Sequence, residues 1–99
     1  MRMLMKVQIP TDKGNEAIKN GTLPEVLGSS LEALNAEAAY FVAEEGMRTA
    51  LIFLEMGDSS DIPPAAEPFF LNLGAKITFA PCMNADEMRA GVAKAMEAA

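Results

Sequence analysis

The stretch Thr49 to Leu54 (TALIFL) limits the fold more than any other part of the chain. A half-buried strand alternates apolar and polar residues, whereas a strand covered on both faces does not. TALIFL is apolar along both alternating rows, so it predicts a strand at the centre of a sheet with material on each side. It is the second arm of AAYFVAEEGMRTALIFLEM, residues 38–56, which reads as a hairpin turning at Glu45-Gly46. Gly46 supplies the positive φ that a tight turn needs. With that turn, Tyr40 faces Leu51 and Val42 faces Thr49 on one side of the sheet. Phe41 then faces Ala50, and Ala43 faces Arg48, on the other.

The remaining elements follow from period and punctuation. Met3–Ile9 alternates as a strand and ends at Pro10, which has no amide hydrogen for a ladder. Thr11 and Asp12 are caps for a short helix over residues 13–20, with Ala17 and Ile18 facing inward. Thr22 and Glu25 have capping-box spacing, and Leu23, Val26, Leu27, Leu31 and Leu34 recur on one helical face up to Asn35. Asp58 and Asp61 read as caps. A third helix runs from Ile62 to Gly74, with Pro68 inside it; the kink there reads first as a bend that wraps the helix onto the sheet, and alternatively as a pocket wall beside Phe69 and Phe70. Residues 75–80 form the last strand, with Ile77 and Phe79 on one row and Lys76 and Thr78 on the other. Asn84 and Glu87 form a second capping box, opening a C-terminal helix with the stripe Met88, Val92, Ala95 and Met96.

This order predicts an α+β fold over a single domain, residues 1–99. It is the ferredoxin-like β-α-β-β-α-β arrangement with a C-terminal helix: a four-stranded antiparallel sheet of order 4-1-3-2 with helices on one face. The bare face would carry Leu4 and rows of the hairpin, too much apolar surface to leave in water. A homodimer joined through that open sheet face is therefore expected.

Several function classes are excluded by composition. The chain has no histidine and a net charge of −6. That removes His-ligated haem, Ser-His-Asp catalysis and most zinc sites. An acidic chain without a basic stripe is a poor binder of nucleic acid or of anionic membranes. There is no dinucleotide or Walker glycine motif. No cofactor and no metal are expected. Cys82 is the one cysteine, which fits a reducing compartment and an inert thiol. With no signal-like or membrane-length segment, the expected location is cytoplasmic and the protein soluble. The eight methionines read as pliable core filler.

The segments MLMKVQIPT, AAYFVAEEGMRTALIFLEM, DIPPAAEPFF and PCMNADEMRAG resemble a family of short, uncharacterised bacterial proteins grouped with the dimeric α+β barrel superfamily. The resemblance covers nearly the whole chain. It implies the fold and a dimer, but carries no catalytic motif, and the superfamily spans enzymes and non-enzymes alike.

One polar set remains as a candidate ligand site: Lys6, Gln8, Tyr40, Lys76 and Thr78, which could point into the space between sheet and partner. Two ammonium groups in a partly dry cavity would hold a carboxylate or an enolate oxygen. The plainer reading pairs the lysines with acids such as Glu55, packs Tyr40 into the interface, and leaves Arg48 as surface charge beside Glu44 or Glu45. Three functions compete. One is a homodimeric binding domain for a small apolar or anionic ligand. Another is a cofactor-independent monooxygenase or isomerase using Lys6, Tyr40 and Lys76, with Phe53, Phe70 and Phe79 as walls. The third is a purely structural interaction domain.

Overall fold

The computed structural model describes residues 1–98 as four strands and four α-helices. In chain order these are β1 (Arg2–Ile9), α1 (Thr11–Lys19), α2 (Thr22–Ala33), β2 (Ala38–Glu44), β3 (Met47–Glu55), a 3₁₀ turn (Ser59–Asp61), α3 (Ile62–Leu73), β4 (Lys76–Pro81) and α4 (Ala85–Ala98). The strands form one antiparallel sheet of order β2-β3-β1-β4. This is the expected 4-1-3-2 order read from the other edge, and it places β1 and the TALIFL strand at the centre.

The hairpin turns at Glu45 and Gly46, with φ of 54° and 74°. Two successive positive φ values match the right-handed twist of the strands, as in a type I′ turn. The register pairs Tyr40 with Leu51, Phe41 with Ala50, Val42 with Thr49 and Ala43 with Arg48, as the sequence predicted.

The core lies between the sheet and α1 to α3. Met5, Val7 and Ile9 of β1 and Ala50, Ile52 and Leu54 of β3 point into it and are buried. Phe69 and Leu73 of α3 and Leu23 of α2 close over them, with Val26, Leu27, Leu31 and Leu34 packed alongside. α3 ends on Gly74, whose φ of 58° is the left-handed conformation glycine favours at a helix C-terminus.

Local details depart from expectation. α1 begins at Thr11 behind Pro10, and no side chain caps it. It buries Gly14 and Ala17, while Ile18 is exposed. A helix turns about 100° per residue, so Ile18 is carried off the face that Ala17 occupies. The Thr22–Glu25 capping box does not form, because Gly21 in a left-handed conformation takes the cap position of α2. Pro68 lies within the continuous span of α3, but Phe69 is fully buried and Phe70 exposed, so the two do not form one pocket wall. The Asp58–Asp61 cap forms at the 3₁₀ turn.

α4 stands apart from the body. Its capping box is present in both directions: the Glu87 amide donates to Asn84 Oδ1 at 2.8 Å, and the Asn84 amide to Glu87 Oε1 at 2.9 Å. Arg2 donates to the same Glu87 oxygen at 2.5 Å and to Glu37 at 3.3 Å, tying the root of α4 to the start of β1. The cap's amide hydrogen bond, then the Arg2 guanidinium, hold the Glu87 carboxyl below its usual range. None of the α4 residues is buried, and Met88, Val92 and Met96 are exposed. The protein is therefore 55 Å long but only 28 by 18 Å across. The methionines correct a second expectation: Met5 and Met56 are core, whereas Met1, Met83, Met88 and Met96 lie on the surface. No helix among the described residues is long and apolar enough to cross a membrane.

Candidate functional site on the open sheet face

Because strand side chains alternate, the residues of β1 and β3 that do not enter the core share the opposite face of the sheet. Among the described residues, no helix covers that face. Register arranges it in transverse rows. The first is Ala38, Phe53, Leu4 and Ala80; the second Tyr40, Leu51, Lys6 and Thr78; the third Val42, Thr49, Gln8 and Lys76. All five candidate residues therefore lie on this one face, in two neighbouring rows. They do not converge on one point. Tyr40 and Thr78 are on opposite edge strands, roughly 14 Å apart at the usual strand spacing.

The face grades from apolar to polar. Tyr40 packs its ring edge-on to Phe53, with centroids 6.5 Å apart and planes at 76°. Tyr40 is 62% exposed and Val42 42%, large values for apolar groups on a sheet face. At the polar end, Lys6 Nζ sits 2.5 Å from Glu44 Oε2, and Gln8 Nε2 donates to the same oxygen at 3.2 Å. Thr49 is buried and its hydroxyl donates to the Met47 carbonyl. Among the described residues, no buried side-chain nitrogen or oxygen lacks a partner.

Glu44 therefore organises the polar end, and it is the acid that the sequence reading assigned elsewhere. Glu55 instead holds the N-terminal ammonium at 3.0 Å. Lys6 reaches towards β2, while Lys76 stands exposed on β4, on the other side of β1. The two ammonium groups thus do not form the shared clamp considered from sequence. The three proposed walls do not meet either: Phe53 lies on the open face, Phe79 pairs with Met5 in the core-facing row, and Phe70 is exposed on α3. Arg48 also lies in a core-facing row, opposite Ile9 and Ala43, and its guanidinium donates to Asn15 Oδ1 at 3.0 Å instead of pairing with Glu44 or Glu45. Period-two alternation already carried that signal, since Arg48 is aligned with Ala43 and Glu44 points the other way. Cys82 is a free thiol, half-buried. No group of three or more metal-ligating side chains occurs among the described residues.

No protein-family model matches the chain, and no curated protein or solved structure is significantly similar to it.

Proposed function

We propose that this chain is a ferredoxin-like subunit of a homodimer of the dimeric α+β barrel type, binding a small apolar or anionic ligand between its open sheet face and the partner. The observation that carries the reading is the uncovered face itself, with Leu4, Leu51, Phe53, Tyr40 and Val42 side by side and no helix over them. At ~25 cal/mol per Å², several hundred Å² of such surface is enough to offset the cost of association. α4 supports the same assembly. An isolated helix of this length is marginal in water, and its Met88–Val92–Met96 stripe needs a surface that its own body does not offer. Two unpartnered apolar surfaces on one chain are both covered when two copies pair about a two-fold axis.

The Lys6–Glu44–Gln8 cluster suits that role. Its charges are matched, so a partner can cover it without stranding an ion. The resemblance of the chain's motifs to the short bacterial family points the same way. The catalytic alternative needs a free Lys6 ammonium, and Glu44 holds it. Lys76, Thr78 and the Tyr40 hydroxyl remain as groups able to orient a bound ligand.

The test is the variant Lys76→Ala, titrated with benzoate and with phenol. It is expected to stay dimeric and to lose benzoate binding at least tenfold, while phenol binding changes little. Unchanged benzoate binding would remove Lys76 from the site.

A further inference from the structure

Composition alone reads the methionines as core filler, yet three of them meet at one place. The Met1 nitrogen donates to the Met56 carbonyl at 3.0 Å, and the Met56 amide donates to the Met1 carbonyl at 3.0 Å. This exchange extends the β1–β3 ladder by one pair beyond Arg2 and Glu55. Residues that exchange both bonds have Cα atoms about 5.5 Å apart. Met3 lies two residues along β1, so it shares a face with Met1 at roughly 6.6 Å. Met3 pairs with Leu54, which makes it the diagonal neighbour of Met56, roughly 7–8 Å away. Side chains as long and as free to turn as methionine can bring their sulfurs to one point from such a triangle. All three line a single cleft of about 310 Å³, beside Ile62 at the start of α3. Met56 is buried, Met3 half-buried and Met1 exposed, so the cleft is built into the fold on one side and open to solvent on the other.

We propose that this cleft is a binding site for Cu(I), held by the thioether sulfurs of Met1, Met3 and Met56. Thioethers are soft, neutral donors, and soft donors select Cu(I) over the harder divalent ions. Zinc would need thiolate or imidazole, and magnesium or calcium several oxygens. The chain has no histidine, and no group of three or more His, Cys, Asp or Glu side chains occurs among the described residues. Three neutral ligands leave the bound ion its single positive charge. Asp58 lines the same cleft, with its carboxylate accepting from the Ser60 hydroxyl at 2.6 Å, and the chain's net charge of −6 favours a cation. The nearby ammonium of Met1 is matched by Glu55. The three methionines continue the core-facing rows of β1 and β3, so the site is separate from the open sheet face and does not depend on the dimer.

Ag(I) has the same charge and softness and stays in one oxidation state, so it is the first probe. It is titrated in chloride-free buffer into the full chain carrying Cys82→Ser, which removes the one competing thiol. The ε-methyl resonances of Met1, Met3 and Met56 are expected to move together and to stop moving at one equivalent. Those of Met83, Met88 and Met96, which are equally open to solvent, should stay in place. Cu(I), added without oxygen, should give the same three shifts. Met3→Leu and Met56→Leu keep volume and apolarity and remove only the sulfur. Each is expected to weaken binding by about tenfold or more, since loss of even an outer partner costs that much at a metal site. The proposal is overturned if no methyl moves in Cys82→Ser, if the shifts follow exposure across all the surface methionines, if Cu(I) fails to reproduce them, or if either leucine variant binds as the parent does.

Discussion

Phe69→Ala is expected to lower the free energy of unfolding by about 3–5 kcal/mol, the usual cost of truncating a buried phenylalanine. Phe69 is the largest fully buried side chain, projecting from α3 into the layer where Met5, Ile52, Leu54 and Leu73 meet. Its ring is fully buried, and the strands beneath it are fixed by the sheet, so the space it leaves can close only in part, by movement of Met5. A domain of this size has roughly 5–15 kcal/mol to lose. Chemical denaturation should therefore show the midpoint falling steeply while the slope stays constant. Phe70→Ala, one residue on and exposed, is the control and should shift stability by no more than about 0.5 kcal/mol.

The second large effect concerns assembly. The double variant Tyr40→Glu, Val42→Glu is expected to convert the dimer to a folded monomer. Both side chains are exposed in the single chain, so the substitutions leave its core intact. In a two-fold dimer each change occurs twice, placing four carboxylates in the contact. Burying an unpaired charge costs several kcal/mol. The dissociation constant should rise by at least a thousandfold, with unchanged circular dichroism. A dimer that survived would mean that this face is not where the copies meet.

Much of the fold was legible because it rests on short-range rules. Glu45-Gly46 fixed the turn, and period two then fixed every pair in the hairpin. The Asn84–Glu87 cap was readable from spacing alone. Period two also places the five candidate residues on one face of the sheet. What was not legible depends on long-range geometry. Ile18 and Ala17 are both apolar, and the packing of α1, which buries Gly14 and Ala17, turns Ile18 outward. Lys6 could reach Glu55 or Glu44, and side-chain paths across β3 chose Glu44. The apolar stripe on α4 was readable from spacing, but Met88, Val92 and Met96 are exposed, and a single sequence does not say what surface they meet.

In the proposed assembly, one copy of this chain cannot cover its own sheet. Sedimentation equilibrium of the unmodified protein at micromolar concentration tests it most directly. The predicted result is a single species of twice the 10.6 kDa chain mass. A stable, folded species at the mass of one chain across that range would contradict it.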